Sequence, residues 1–226
     1  YSSSNNDIIF YLFLNQENYH SFVEHPNKIC KIRIDPKNRE IQLYSHIEKL
    51  NLDIWFCPLL HLEPKYVMIP SVVTIPDMQH ELYPEFFSQE ILEWRSKNFE
   101  FSVKNADRII TLSNYSKEMI INKFNVSPKK VDAIYLDADA SFKSDILQNS
   151  DNIVKKYGLP DKYIFYPANF WKHKNHVKLI QALVIIHKKF RRKIHLVLTG
   201  QKKKLDHEII RLIKKERLSK YIHILG

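Results

Sequence analysis

The hydrophobic pattern of the first half of the chain alternates between short apolar runs and segments with helical spacing. The apolar runs predict buried strands at 7–14, 52–57, 67–76, 107–113 and 129–136. The segments between them predict helices at 89–104 and 116–124. The first helix has its apolar positions at Ile91, Leu92, Trp94, Phe99 and Val103, and Ser116 is the expected N-cap of the second. Such alternation is typical of a parallel sheet covered by helices.

The second half repeats this alternation after a polar, turn-rich stretch at 137–161. Strands are predicted at 163–168, 193–200 and 221–225, with helices at 175–190 and 205–218 between them. The first of these helices has helical spacing at Val177, Ile180, Leu183, Val184 and His187, and the second at Leu205, Ile209, Leu212 and Ile213. The polar stretch predicts a domain crossing. Three strands are too few to complete a doubly wound domain.

Composition excludes several classes of protein. The 226 residues are 44% hydrophobic and 12% aromatic, which excludes wholesale disorder. Only three glycines occur, so collagen-like and linker-like chains and a Gly-rich phosphate loop are excluded. Cys30 and Cys57 form no CxxC pair, which argues against a disulfide scaffold or a thiolate zinc site and favours a reducing compartment. The longest apolar stretches, such as 8–14, are too short for a membrane helix.

The ends of the sequence indicate a piece of a longer chain. The first residues, YSSSNND, contain neither an initiator Met nor the basic region of a signal peptide. The last residue, Gly226, directly follows the strand-like run YIHIL. We therefore expect sequence before and after these 226 residues.

Charge separates the two halves. The chain has 35 Lys plus Arg against 25 Asp plus Glu, a formal charge of +10. Residues 151–226 contain 19 basic and 5 acidic side chains, a net charge of +14, which leaves −4 for residues 1–150. The lysine-rich runs at 188–193 and 202–204 are typical of solvated helix ends. They are also where an anionic lipid or a nucleic acid would bind.

The first candidate site is the segment 75–88, IPDMQHELYPEFFS, directly after a predicted strand. Ligands of open α/β sheets bind outside the carboxyl ends of the strands, where Asp77, Gln79, His80 and Glu85 would stand. The alternative is a turn with a helix cap, because Asp at such a position bonds its own backbone. A second histidine at helical spacing is missing, so the segment is not a metalloprotease motif.

The second candidate site is the segment 166–176, YPANFWKHKNH, which also follows a strand and opens a helix. Lys172, Lys174, His173 and His176, together with the free N–H groups of the helix, would converge on an anion such as a diphosphate. The alternative is that the lysines only keep the loop solvated. Trp171 argues against that alternative, since an indole in a polar loop usually packs on something.

A third motif, Asp137-Ala-Asp139, resembles the Asp-x-Asp pairs that chelate a divalent metal. No further carboxylate stands nearby in the sequence, and Asp favours turns through backbone hydrogen bonds. We therefore favour a turn and predict no metal site.

Taken in order, IPDMQHELYPEFFS, ADRIITLS, YPANFWKHKNH and HLVLTG resemble the retaining glycosyltransferases of family 4, from about Leu52 to Gly226. The resemblance implies an α/β protein with two Rossmann-like domains of the GT-B type, the second truncated. Residues 1–145 would form the acceptor-side domain, without the first strand and Gly-rich loop of relatives, and 146–226 the first part of the donor domain. The paired glutamates that hold the donor in relatives are missing too.

The resemblance also implies roles for individual residues. Lys174 matches the lysine on the donor diphosphate, and Asn169 stands where many relatives have an arginine. The loop members Trp171, Lys172 and Asn175, and Gly200 of HLVLTG, belong to the same donor-phosphate site. Asp77, Gln79 and His80 match the acceptor-side loop, although Pro76 replaces a histidine common in relatives. Glu85 and Arg95 match the polar positions after it, and Asp139 and Phe142 the end of the interdomain connection.

The expected function is sugar transfer, with retention, from a nucleotide-diphosphate sugar to a glycan or lipid-linked acceptor in polysaccharide biosynthesis. The resemblance implies no cofactor and no required metal, and a cytoplasmic enzyme. The basic half adds peripheral contact with an anionic membrane, at the inner face. One alternative is a basic α/β nucleic-acid-binding protein. No helix-turn-helix, zinc finger or aromatic RNA-binding signature accompanies the positive charge, so nucleic acid is not an expected partner. Another is an inactive remnant that acts as a binding module.

Overall fold

The structure is a computed structural model that describes residues 8–25, 28–58, 60–138, 150–201 and 207–225. It divides into two compact units, Tyr1–Leu136 and Asp137–Gly226. The boundary predicted between 145 and 146 lies outside the described residues. Each unit is an α/β assembly with parallel strands.

The first unit contains two parallel sheets. Its strands are β1 Phe10–Leu14, β2 Ile29–Arg33, β3 Trp55–Cys57, β4 Ser71–Thr74, β5 Arg108–Thr111 and β6 Val131–Ala133. Its helices are α1 Arg39–Leu50, α2 Gln79–Leu82, α3 Gln89–Asn105 and α4 Asn114–Phe124. β1 pairs with β2, and β3 to β6 form a four-stranded sheet in chain order. Val73, Ile75, Phe99, Val103, Ile109 and Ile120 are almost completely buried and form the centre of its core.

Helix α3 differs from its prediction in which side chains it buries. Phe99, Ser102 and Val103 are buried, whereas Ile91 and Trp94 are 45% and 40% exposed. Ser102 fills its buried position because its hydroxyl accepts from the Leu62 backbone N–H and donates to the Asn98 carbonyl oxygen. Only the second half of α3 therefore packs on the core. The first half lies beside the loops at the edge of the sheet.

Ser113, and not the predicted Ser116, is the N-cap of α4. The Ser113 hydroxyl oxygen accepts a hydrogen bond from the Ser116 backbone N–H at 3.1 Å. β5 ends at Thr111, two residues before the predicted strand end, because the chain then turns to place Ser113 at the helix start. The helix consequently begins two residues earlier than predicted.

The second unit contains one parallel sheet. Its elements are α5 Ser150–Tyr157, β7 Tyr163–Pro167, α6 His176–Lys189, β8 His195–Thr199, α7 His207–Lys215 and β9 Ile222–Ile224. The three predicted strands are present, and they pair in parallel in the order β7-β8-β9. Phe170, Ile180, Leu183, Leu196, Leu198 and Ile209 belong to the core between this sheet and its helices. α5 falls within the stretch predicted as a domain crossing.

Left-handed backbone occurs at several helix ends that have no glycine. Asn51 follows α1, Asn125 follows α4 and Asn175 precedes α6, with φ of 47°, 50° and 54°. Arg191 and Arg217 adopt the same region, at 52° and 55°. Asparagine tolerates this conformation better than most side chains because its short amide bonds the local backbone. No helix within the described residues is both long and apolar enough to cross a bilayer.

Candidate functional site

In each unit, one of the polar segments predicted from the sequence lies at the carboxyl edge of a parallel sheet. The β4–α3 loop, residues 75–88, follows β4 and includes the one-turn helix α2. The β7–α6 loop, residues 168–175, follows β7. This edge is where open α/β sheets bind ligands. Both segments predicted from the sequence therefore lie where chemistry would be expected.

The β4–α3 loop is anchored by two buried apolar side chains. Ile75 and Met78 are at most 1% exposed, and the Ile75 N–H donates to the Ile110 carbonyl oxygen of β5 at 2.8 Å. The Thr111 hydroxyl reaches the Pro76 carbonyl oxygen at 3.4 Å. The backbone is thereby held before Asp77 by hydrogen bonds to β5 and after it by the buried Met78 side chain.

Asp77 is the centre of a small polar group. One of its carboxylate oxygens accepts from the Gln79 backbone N–H at 3.0 Å and lies 3.4 Å from Nη1 of Arg95. The Asp77 side chain is 51% exposed, whereas that of Arg95 is 17% exposed, with its guanidinium carbon 4.7 Å from the centre of the Phe87 ring. Arg95 is thus fixed by packing. The carboxylate it orients remains open to an incoming group.

His80 lies beneath the loop and not on its surface. Its side chain is 3% exposed and meets the Phe99 ring edge-to-face at 5.0 Å. Both ring nitrogens are buried without a hydrogen-bond partner among the described residues, although Nε2 lies 3.4 Å from a Glu81 carboxylate oxygen. Burial lowers the pKa of His80, and Glu81 opposes that shift. The ring is therefore a neutral, buried support for the loop.

Glu85 stands apart from this group. It is exposed on the one-turn 3-10 helix Pro84–Phe86, and none of the hydrogen bonds found within the described residues joins it to Asp77. Of the predicted acceptor-side residues, the structure brings together Asp77, Gln79 and Arg95. It places His80 below them and Glu85 on the surface of the loop.

His61 and its contact with Trp94 were not predicted from the sequence. The two rings meet edge-to-face at 5.1 Å, and His61 Nδ1 is buried without a hydrogen-bond partner among the described residues. Burial lowers the pKa of His61. The Leu60 N–H donates to the Thr74 carbonyl oxygen at 2.8 Å, which brings this loop to the end of β4. The only available signal was a histidine shortly after a predicted strand.

The β7–α6 loop is shaped by its own backbone. The N–H groups of Trp171, Lys174 and Asn175 donate to the carbonyl oxygens of Asn169, Trp171 and Lys172, respectively, at 2.8–3.1 Å. These bonds form a 3-10 turn, Lys172–Lys174, and the left-handed Asn175 then starts α6. Lys172 and Lys174 are exposed, and the Trp171 indole is 44% exposed.

His176 is buried under this loop, contrary to the prediction that it joins the cationic groups. It is 3% exposed and packs on Phe170 at 4.8 Å and on Tyr166 at 5.1 Å. Burial lowers the pKa of His176, against a smaller opposing effect of a hydrogen bond with the Ala168 backbone. A neutral imidazole adds no positive charge. The Tyr166 hydroxyl donates to the Lys174 carbonyl oxygen at 2.8 Å and steadies the loop from the same side.

Gly200 lets the end of β8 pack directly against the loop. A Cβ at this position would lie 2.7 Å from the Ala168 carbonyl oxygen and 3.0 Å from the Asn169 Cα. The Asn169 side-chain oxygen accepts from the Gln201 backbone N–H at 3.1 Å. Asn169 therefore ties two neighbouring strand ends together. Asn169 lies near Gly200 because β7 and β8 are paired in parallel and end at the same level, with Pro167 opposite Thr199.

The first backbone N–H groups of α6 come before the first hydrogen bond of the helix. The Leu179 N–H makes the first helical bond, to the Asn175 carbonyl oxygen at 3.2 Å, so the N–H groups of 176–178 precede it. Such groups and the helix dipole give a helix N-terminus a partial positive charge.

The Asp137-Ala-Asp139 motif and the end of the interdomain connection are only partly described. Asp139 and Phe142 lie outside the described residues. Asp137 is exposed, and its carboxylate accepts a hydrogen bond from the Ala138 N–H at 2.7 Å. Within the part of the chain that the structure describes, no group of three or more His, Cys, Asp or Glu residues is placed to hold a metal ion.

Comparison with curated proteins finds two glycosyltransferases. O-antigen chain mannosyltransferase B of Escherichia coli is 23% identical over 157 residues, 69% of this chain and 41% of that protein. A Campylobacter jejuni enzyme is 30% identical over 122 residues, 54% of this chain and 30% of the enzyme. Its name is N-acetylgalactosamine-N,N'-diacetylbacillosaminyl-diphospho-undecaprenol 4-alpha-N-acetylgalactosaminyltransferase. The chain thus spans less than half the length of either relative. No family model matches the sequence.

Comparison with solved structures shows the fold. A Rickettsia africae glycosyltransferase superposes with a TM-score of 0.62 at 17% identity, over 88% of this chain and 55% of that one. Anabaena HepE in complex with UDP-glucose gives a TM-score of 0.64 at 16% identity, over the same shares. WaaG, a glycosyltransferase involved in lipopolysaccharide biosynthesis, gives 0.57 at 12% identity, over 90% of this chain and 59% of WaaG. The predicted α/β fold of the GT-B type is confirmed.

Proposed function

We propose that this chain supplies the acceptor-side domain, 1–145, and the first part of the donor domain, 146–226, of a retaining family 4 glycosyltransferase. The enzyme transfers a sugar from a nucleotide-diphosphate sugar to a glycan or lipid-linked acceptor in polysaccharide biosynthesis. The observation that carries the proposal is a GT-B-type fold with a polar loop at the carboxyl edge of each unit. The names of the curated relatives, which include an O-antigen mannosyltransferase and an undecaprenol-linked transferase, support the acceptor class.

The β7–α6 loop is the proposed donor-diphosphate site. Lys174 and Lys172 place two exposed ammonium groups on a turn just before the N–H groups of α6. Together they would neutralise the charge that builds on the departing diphosphate. Asn169 and Asn175 set the path of the loop, and Gly200 permits its close approach to β8. The exposed Trp171 ring offers an apolar face to the donor.

The β4–α3 loop is the proposed acceptor side. The half-exposed Asp77 carboxylate, held by Gln79 and Arg95, can accept a hydrogen bond from a sugar hydroxyl. Glu85 adds a second exposed carboxylate on the same loop. His80 supports the loop from below, so its role is positioning.

The proposed mechanism is front-face displacement. The bond from the anomeric carbon to the diphosphate oxygen breaks, and the acceptor oxygen bonds to the same face of that carbon. The departing phosphate oxygen takes the acceptor proton. Lys174 and the α6 N–H groups carry the charge compensation, so no metal or other cofactor is required. We propose a cytoplasmic enzyme with peripheral contact to the anionic inner membrane face, because the second half is strongly basic.

Nucleoside-diphosphate binding tests this proposal. UDP and GDP are titrated calorimetrically into the full chain and into its Lys174→Ala variant. A charge-assisted contact is worth about 1.5–3 kcal/mol, so the variant should bind at least about tenfold more weakly. Lys162→Ala is the matched control, since Lys162 is also exposed in the second unit but lies before β7. Equal affinity of the two variants, or a wild-type chain that binds neither nucleotide, would refute the assignment of the loop.

A further inference from the structure

The second unit has a cleft at the amino edge of its sheet, whereas the β7–α6 loop lies at the carboxyl edge. The cleft has a volume of about 360 Å³ and lies between the last turn of α6, the residues after α7 and the segment before β8. Its polar lining consists mainly of Lys188, Lys193, Glu216, Arg217, Lys220 and Tyr221. We call it the basic cleft. The proposed donor site lies at the carboxyl edge, so the two are separate places in the fold.

Positive charge in the basic cleft exceeds what its own carboxylate can neutralise. Lys188 forms an ion pair with Glu216 at 2.6 Å. Among the described residues, Lys193, Arg217 and Lys220 have no carboxylate within ion-pairing distance. The carboxyl ends of α6 and α7 contribute about half a negative charge each. About two positive charges therefore remain uncompensated.

The cations are arranged around an aromatic ring. Nζ of Lys193 lies 5.6 Å from the centre of the Tyr221 ring, and Nζ of Lys220 lies 5.2 Å from it. Tyr221 also meets the buried His187 ring edge-to-face at 4.6 Å, so the core holds it in place. The Tyr221 ring thus attracts both ammonium groups and holds them near each other at the cleft.

Arg217 enters the same cleft from a conformation that side chains normally avoid. Its φ of 55° lies in the left-handed region, where a Cβ crowds the following carbonyl oxygen. The Arg217 and Leu218 N–H groups close the end of α7 by donating to the Lys214 and Ile213 carbonyl oxygens. A glycine would satisfy this turn without crowding. An arginine there brings a guanidinium to the cleft.

We propose that the basic cleft binds a phosphate group, separately from the nucleotide-sugar site. The charge excess, the ammonium pair at Tyr221 and a volume within the range of small-ligand sites suit a phosphate monoester or diphosphate. The same chemistry would recognise a free phosphate compound or the phosphate of an anionic lipid headgroup.

The test compares two double variants of equal charge. Lys193→Ala/Lys220→Ala removes the ammonium pair, and Lys155→Ala/Lys162→Ala removes two exposed lysines of the same unit outside the cleft. Each is made in a Lys174→Ala background, so that the proposed donor loop contributes little. Inorganic pyrophosphate is titrated calorimetrically, and sedimentation with phosphatidylglycerol vesicles is compared with phosphatidylcholine vesicles. All four side chains are exposed, and circular dichroism verifies folding.

The expected result is at least a tenfold loss of affinity in the cleft variant, with the control variant unchanged. Loss of pyrophosphate binding identifies a free phosphate compound as the source, and loss of vesicle binding alone identifies a lipid headgroup; either supports the site. The proposal is overturned if both double variants lose affinity equally. It is also overturned if the Lys174→Ala parent binds neither pyrophosphate nor phosphatidylglycerol vesicles. The proposed function is tested separately by UDP binding. If Lys174→Ala weakens UDP binding relative to wild type, the proposed function is supported whether or not the basic cleft binds phosphate.

Discussion

Replacing Gly200 by alanine should weaken the second unit and displace the β7–α6 loop. The backbone of Gly200 is not in the left-handed region, so the substitution adds only a methyl group. That methyl carbon would lie 2.7 Å from the Ala168 carbonyl oxygen and 3.0 Å from the Asn169 Cα. Both neighbours are backbone atoms, which cannot rotate away. The strand end or the loop must move.

The expected cost follows from overpacking of a close contact. Inserting a methyl group where no space exists typically costs about 1–3 kcal/mol. With a urea dependence of about 1 kcal/mol per molar for a small unit, the unfolding midpoint should fall by about 1 M or more. Urea-dependent hydrogen exchange of peptides from β7 and β8 measures this, and peptides from β4 and β5 of the first unit serve as the internal reference.

Gly158 provides the matched control within the same unit. No atom lies within 4 Å of a Cβ there, but its φ of 59° is left-handed, so Gly158→Ala should cost about 1 kcal/mol through the backbone alone. Only Gly200→Ala should also weaken UDP binding, because only it pushes on the residues before Lys174. If β7 and β8 exchange as slowly in Gly200→Ala as in wild type, the inferred close approach is refuted.

Two further predictions concern the helix cap and the buried histidines. Ser113→Ala should destabilise the first unit by about 1 kcal/mol, seen as faster exchange of the α4 amides, because it removes the side-chain cap; a larger effect of Ser116→Ala would contradict the assignment of the cap. Burial lowers the pKa of His80 and His176, so the unfolded chain takes up protons near pH 6.5 while the folded chain does not. The unfolding free energy should therefore fall as the pH drops below about 6.5, and NMR titration of the His176 ring with a midpoint at or above 6.5 would exclude this.

The sequence located most strands because most are uninterrupted apolar runs. It missed β2, where Lys31 and Arg33 interrupt the pattern, and α1, where only Leu43 is buried and Ile41 is 72% exposed. Leu43, Ile47 and Leu50 nevertheless follow helical spacing, so α1 could have been predicted from the sequence. α5 was missed because its start is composed of polar residues that also favour turns.

The sequence also located the two loops, because the position after a parallel strand depends only on chain order. It could not give the direction of each side chain. His176 stands among lysines in the sequence, yet the first turn of α6 directs its ring onto Phe170 and Tyr166. The contact of His61 with Trp94 joins residues far apart in the chain, and no local pattern encodes it.

The left-handed asparagines at the helix ends carry a consequence for the unfolded chain. Glycine in these turns would be free of crowding when folded, but it would also give the unfolded backbone many more conformations to lose on folding. Asparagine costs a small local strain in the folded state, but it allows the unfolded backbone fewer conformations than glycine does. It occupies these turns at Asn51, Asn125 and Asn175. A protein with three glycines in 226 residues thereby limits the entropy it must lose in ordering its turns. Asn175 sets the same limit on the turn that carries Lys174, which lowers the entropy lost when the proposed donor loop folds.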